Sequence, residues 1–512
     1  VSILLLTQMI IGQTIVDYDQ TWTIDQIYDG DIIIKSGVTL TVDGARVGMK
    51  KAKSIIVENN AKLISQEGKF DYAYATSYED SQEKWFGIKM QDGSSLEMYA
   101  STLNNAQQAI RLDGDGDILL RNNVYFNHDL TGMKLNMIDY NNSNIVVDVY
   151  CSFFDCTTGI DLFGNFEKFE VTRWVSFYNC TNAIQIYKDW DDDNGNEPLI
   201  SEADFHNCDY GIYCAYSGFK VENCSFDDGE TAIDIEDADG VELIHNTFND
   251  QSFAGLASYG SNFFMHDENS FHYCNTGVLA MDSYSNSQFS ITDQNYFGFC
   301  GTAIDVSGVD GAKNFEIIDN ILEYNEFGIF AEGSNHFDIQ VNELYTNDYN
   351  ININRSGDQK NNVGCNEVSN SWNGLQIHYF NDMTDFIGNN FVDLTTDDVI
   401  LRESTLNQNI GDNLYPAMNS FGPNSLDILN LNSDKFKYWI PKNAPDNLDP
   451  EGIPESWKYH SDFETTNKCE LPVNIPDDID DVTINEWKEE FCYYWEIYKY
   501  NPDNELAKEL YY

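Results

Sequence analysis

The residues with the clearest chemical potential in this sequence are carboxylates spaced along short turns. Asp189, Asp191 and Asp193 alternate through the segment Asp189-Trp190-Asp191-Asp192-Asp193-Asn194-Gly195-Asn196-Glu197, and Asp113, Asp115 and Asp117 alternate through Asp113-Gly114-Asp115-Gly116-Asp117. Alternate side chains on a tight turn converge their oxygens, which is the donor set that Ca²⁺ takes from a flexible loop. Glu236-Asp237-Ala238-Asp239-Gly240 is a third acidic turn of this kind. The EF-hand frame is not met, because Gly195 is the seventh residue counted from Asp189 and the twelfth is Ile200 rather than Glu. Two readings stand for the six aspartates: weak ligands of Ca²⁺, the one cofactor the sequence points to, or solvated acidic turns.

Other chemistries have less support. The 11 Cys and 8 His form neither a C-x-x-C pair nor a zinc-spaced cluster. The adjacent pairs Asp192-Asp193 and Asp397-Asp398 would point to opposite faces of a strand. A carboxylate pair drawn from different turns could still flank a glycosidic bond, at about 5–5.5 or 6.5–9.5 Å. No residue is assigned a catalytic role. With 28 Lys+Arg against 85 Asp+Glu, the net charge of −57 repels phosphate backbones and anionic lipid. Nucleic acid is therefore excluded as a first partner, and salty water or bound divalent cations would best screen the self-repulsion. An extracellular, marine setting follows as the expectation.

Positioning such side chains requires an architecture, and the sequence carries a repeat. A bulky apolar residue, five mostly polar residues, then Gly or Ala and an aliphatic residue recur from Ser152-Phe153-Phe154-Asp155-Cys156-Thr157-Thr158-Gly159-Ile160 to Ser176-Phe177-Tyr178-Asn179-Cys180-Thr181-Asn182-Ala183-Ile184. The anchors are Leu103, Phe126, Phe153, Phe177, Phe205, Phe226, Phe248, Phe271, Phe297, Leu322, Leu344, Val368 and Phe391, spaced 24 residues apart on average. Short alternating runs such as Ala232-Ile233-Asp234-Ile235, separated by Gly, Asn and Asp, read as strands. Helical repeats and leucine-rich repeats fit poorly, and an all-β, right-handed parallel β-helix fits: a solenoid of about 16 coils of about 24 residues each. Asn246, Asn269, Asn295, Asn320, Asn342, Asn366 and Asn389 precede successive anchors by two residues, predicting a stacked polar ladder at a left-handed corner. Cys156, Cys180, Cys208, Cys274 and Cys300 follow anchors by three, predicting a column of small buried thiols.

The ends differ. Residues 1–13 read either as the remnant of a secretory signal or as a first strand. Residues 14–102 form longer capping coils, and 103–430 the repeats. Prolines crowd an irregular cap or linker over 431–481, and an aromatic α-helical segment opens at Thr483-Ile484-Asn485-Glu486 within 482–512. That last segment is either a lid or the entry to a further domain. Cys469 and Cys492 are the candidate disulfide. No stretch reaches the roughly 20 apolar residues of a membrane-spanning helix.

With its opening Val38-Thr39-Leu40-Thr41-Val42 and later Trp85-Phe86-Gly87-Ile88, the repeat resembles the secreted right-handed parallel β-helix proteins of Bacteroidota surfaces, over about residues 20–430. The resemblance implies the fold and leaves the activity open. Lyases of this type pair Ca²⁺ with an Arg or Lys base, whereas here the six Arg (Arg46, Arg111, Arg121, Arg173, Arg355, Arg402) make no repeated cluster. The first expectation is a non-catalytic extracellular structural or adhesive subunit, with other protein subunits, including copies of itself, as partners. The second is a protein that binds or cleaves polysaccharide.

Overall fold

The computed structural model describes residues 8–72, 83–137, 143–164, 167–188, 197–281, 287–309, 315–357, 360–407, 409–423, 426–431 and 433–462. The chain divides into two compact units, residues 1–466 and 467–512. The second lies outside the described residues, as do the helical segment 482–512, Cys469 and Cys492.

The first unit is a parallel β-solenoid. Each coil lays down three short strands, for example Ser176–Tyr178, Asn182–Tyr187 and Leu199–Ser201. Strands of successive coils stack into three sheets of 17, 18 and 16 strands. The pairing between successive coils is parallel and in register, as a solenoid requires. The first sheet contains the anchors, and all thirteen pair consecutively, from Leu103 opposite Phe126 to Val368 opposite Phe391. The repeat read from the sequence is therefore the physical coil.

Inward side chains form continuous columns. The rings of Phe126, Phe153, Phe177, Phe205, Phe226, Phe248, Phe271 and Phe297 stack within 8° of parallel, with centroids 4.3 to 5.1 Å apart. The Gly or Ala of the motif follows from this column: a Cβ on Gly159 would lie 2.9 Å from the Phe177 ring and 2.5 Å from the Ala183 carbonyl. A second aromatic column, Phe263, Phe289, Phe315 and Phe337, runs along the third sheet with centroids 4.8 to 5.3 Å apart.

The asparagine ladder is buried and continuous. The backbone N–H of Asn246 donates to Asn269 Oδ1 at 2.9 Å, and the same bond links Asn342 to Asn366 and Asn366 to Asn389. The ladder extends beyond the predicted seven, from the backbone N–H of Cys224 at one end to Asn419 at the other. One detail is corrected: the left-handed backbone belongs to the residue before each Asn, with φ of 51° at His245, 58° at Glu268 and 57° at Asp319. The Asn side chain caps the bend from within instead of forming it.

Cys156, Cys180, Cys208, Cys274 and Cys300 are buried free thiols, as expected. The same corner continues as Asn325 and Asn347, where the backbone N–H of Cys300 donates to Asn325 Oδ1 at 2.8 Å and that of Asn325 to Asn347 Oδ1 at 2.9 Å. At the start, Gln8–Ile10 pairs in parallel with Gln26–Tyr28, so this part of the opening apolar run is a strand. Past residue 430 the rhythm stops in two 3₁₀ turns, Asp446–Leu448 and Glu455–Trp457. A small sheet joins Asn409–Ile410, Lys437–Ile440 and Lys458–His460.

Candidate functional site

Because the core fixes only the inward positions, chemistry must be sought among outward side chains that register brings side by side. On the second sheet one outward column reads Lys89, Arg111, Lys134, Asp161, Gln185, Tyr213, Asp234, Ala257, Leu279, each directly opposite the next. Two residues further along each strand a parallel column reads Asp113, Asn136, Phe163, Tyr187, Ala215, Glu236, Tyr259. Three cations in consecutive coils give way to carboxylates among tyrosines.

At the basic end the charges are matched. Lys134 Nζ lies 2.6 Å from Asp161, Arg111 Nε lies 2.6 Å from Asp113, and Lys89 sits 5.0 Å over the Phe86 ring. At the other end small residues sit among tall ones. Ala215 and Ala257 point outward yet are buried, covered by their larger neighbours in the two columns. The rings of Tyr187 and Tyr213 lie 5.6 Å apart. The result is a shallow, stepped surface with Asp234 and Glu236 at its centre.

These two carboxylates stand two residues apart on one strand face, about 6.6–6.8 Å between their backbones. The Tyr213 hydroxyl donates to Glu236 Oε2 at 2.8 Å. Burial against this surface, helped by the charge of Glu236, pushes Asp234 up to about 6. Tyr213 is also raised, first by burial and then by its bond to Glu236, so its proton stays in place to be donated. Tyr187 and Tyr259 shift upward for the same leading reason.

Asp234 gives a pH prediction whose sign is fixed. Its native value lies above the ordinary 3.8, so its contribution to stability is full in acid and is lost as pH rises from there through about 6. The groups facing it are Glu236, Tyr213, Tyr210 and Tyr259. Asp234→Asn should flatten the melting-temperature profile over that window and raise the melting point at neutral pH relative to the parent. Parallel profiles for the two proteins would remove the assignment.

Of the six predicted metal ligands, Asp113, Asp115 and Asp117 are among the described residues, and Asp113 and Asp117 have other partners. Burial lifts Asp113, but hydrogen bonds from Arg111 and Asn136 outweigh it and hold the carboxyl below its ordinary range. Asp117 accepts from the backbone and side chain of Asn144, both at 3.3 Å, while the Asp115 backbone N–H donates to Asp92. Register contributes: Asn136 and Asn144, which bind Asp113 and Asp117, belong to the neighbouring coil. Among the described residues no group of three or more His, Cys, Asp or Glu is placed to hold a metal ion. Asp189, Asp191 and Asp193 lie outside the described residues.

Two concavities lie elsewhere. One, of about 410 Å³, opens on the third sheet beside Glu197, Glu242, Phe264 and His266. There His266 bridges Glu242 and Asp267, and Lys220 lies 3.4 Å from Glu242. The other, of about 650 Å³, is lined by Asp427, Asp449, Glu451 and Glu455 around Lys458, which pairs with Asp449 and Glu455. Both are dominated by carboxylates, whereas the second-sheet face presents unlike groups in sequence.

Comparison with known proteins gives one match: the family model for the right handed beta helix region covers residues 190–343, the central coils that include Asp234 and Glu236. No curated protein and no solved structure matches the chain.

Proposed function

We propose that this chain is an exported glycan-binding β-helix, serving adhesion or the build of an extracellular assembly, and that a polysaccharide lies across the coils on the outer face of the second sheet. The observation that carries the reading is the register of Tyr187, Tyr213, Asp234, Glu236 and Tyr259 on four successive strands of that face. Carboxylates and phenols fix hydroxyl groups, and tyrosine flanks give apolar contact for sugar rings. The matching family and the parallel β-helix fold suit a structural or a polysaccharide-related protein equally.

Binding to immobilised neutral and uronate-containing polysaccharides, followed by biolayer interferometry, tests the reading. Tyr213→Ala and Tyr259→Ala should each weaken binding about tenfold while the circular dichroism spectrum is kept. Equal binding by both variants and the parent defeats the assignment of this face.

Glycoside hydrolysis is the second reading, favoured by the pairing of Asp234 with Glu236. A proton-bearing Asp234 would serve as general acid and Glu236 as the opposing carboxylate. On this reading Asp234→Asn and Glu236→Gln abolish release of reducing ends and leave binding in place. Release that survives both substitutions assigns any cleavage to other residues.

A further inference from the structure

The corner that joins the first sheet to the second adopts a left-handed backbone in every coil described around it. Asn179, Asn207, Asp228, Asp250, Asn370 and Asp393 occupy it with φ between 50° and 58°. That choice is chemical: Asn and Asp tolerate this region, while other side chains are strained there. His128 and Thr346 depart from this choice singly, and three consecutive coils place aromatic rings there, Tyr273, Phe299 and Tyr324, at φ of 55°, 57° and 56°. Each backbone N–H continues the corner ladder, from Asp250 to the His272 carbonyl, Tyr273 to Gly298, Phe299 to Glu323 and Tyr324 to Tyr345.

These rings do not serve the core. Tyr273, Phe299 and Tyr324 are 57%, 45% and 51% exposed. They stack on one another, with centroids 5.1 and 4.9 Å apart. Their inner faces are thus spent on each other, and a stripe of ring edges faces solvent. A sugar ring packs on an aromatic face, so the stripe suits a saccharide poorly. It combines backbone strain with exposed apolar surface, a pair of costs that folding does not repay.

The surrounding charge selects the occupant. Between Lys220 and Arg355 the sequence has 24 Asp and Glu and one cation, Lys313. Asp228 and Asp250 continue the corner column on one side of the rings. Glu323 precedes Tyr324 and Glu326 follows it by two residues. A second copy of this chain would bring the same negative charge and be repelled. Lys and Arg side chains satisfy both features at once, laying methylene stems along apolar ring edges while their heads reach carboxylates.

We propose that the Tyr273, Phe299 and Tyr324 stripe is a docking surface for a Lys/Arg-rich segment of a partner protein. The probe is a fluorescein-labelled deca-arginine peptide titrated with the full chain, read by anisotropy at physiological and at raised salt. The triple substitution Tyr273→Asn, Phe299→Asn and Tyr324→Asn installs the residue type that other coils already use, so the coils should remain folded. Affinity should drop about tenfold or more in the triple variant at both salts, with an unchanged or higher melting temperature. Equal affinity in the two proteins overturns the proposal, because attraction would then be general to an acidic surface. Self-association of the parent that the triple variant loses, with no change in peptide affinity, overturns it in favour of a second copy.

Discussion

Phe177→Ala should lower the free energy of unfolding by about 3–5 kcal/mol, the range for emptying a buried aromatic site. Phe177 is fully buried, and its ring stacks at 4.8 Å on Phe153 and at 5.0 Å on Phe205. Truncation therefore removes two stacked contacts together with the transfer free energy of one ring, and the backbone ladder on either side resists collapse into the void. The neighbouring glycine sharpens the test. A Cβ on Gly159 would meet both the Ala183 carbonyl and the Phe177 ring, so Gly159→Ala should be destabilising in the parent and, with the carbonyl contact remaining, partly relieved in the Phe177→Ala background. Urea unfolding of the four proteins forms a double-mutant cycle whose coupling reports that contact. A Phe177→Ala protein with the parent's midpoint would mean that the column does not hold the coils together.

The same column explains what could be read from the sequence. Inward residues repeat once per coil because each must fit against its equivalent above and below, so Phe153, Phe177 and Phe205 kept their identity and their spacing. The third-sheet column of Phe263, Phe289, Phe315 and Phe337 obeys the same rule, but it spans only four coils and so leaves a shorter signal in the sequence than the thirteen anchors. Outward residues carry no such constraint. Tyr213 and Asp234 are 21 positions apart and chemically unlike, and only register reveals them as neighbours. The acidic turn is hard to read for the converse reason: Asp113 and Asp117 are close in sequence, yet Asn136 and Asn144 of the next coil bind them, and those partners are not visible in the local pattern.

The asparagine ladder offers the other large effect, and it separates hydrogen bonding from shape. Asn320 is buried; its amide donates to the Ile291 carbonyl at 2.8 Å and to Asn342 Oδ1 at 3.1 Å, and its Oδ1 accepts from Asn295 at 2.9 Å. Asn320→Leu has a similar volume but supplies none of these groups, leaving the Ile291 carbonyl without that donor and one Asn295 donation unmet. Each stranded group costs about 1–3 kcal/mol, so a loss of about 2–4 kcal/mol is expected, most of it at one position of one coil. Asn320→Asp keeps the acceptors and removes the donors. When ionised it would set a carboxylate against the Ile291 carbonyl in a buried site, which raises its pKa above the ordinary range. That variant should therefore be closest to the parent in acid and lose stability as pH rises, the reverse of an exposed, salt-bridged aspartate. Guanidinium unfolding of the three proteins at acidic and neutral pH reads both effects. If Asn320→Leu unfolds with the parent, the ladder is a space-filling device, and the burial of eight amides in one line needs a different cause.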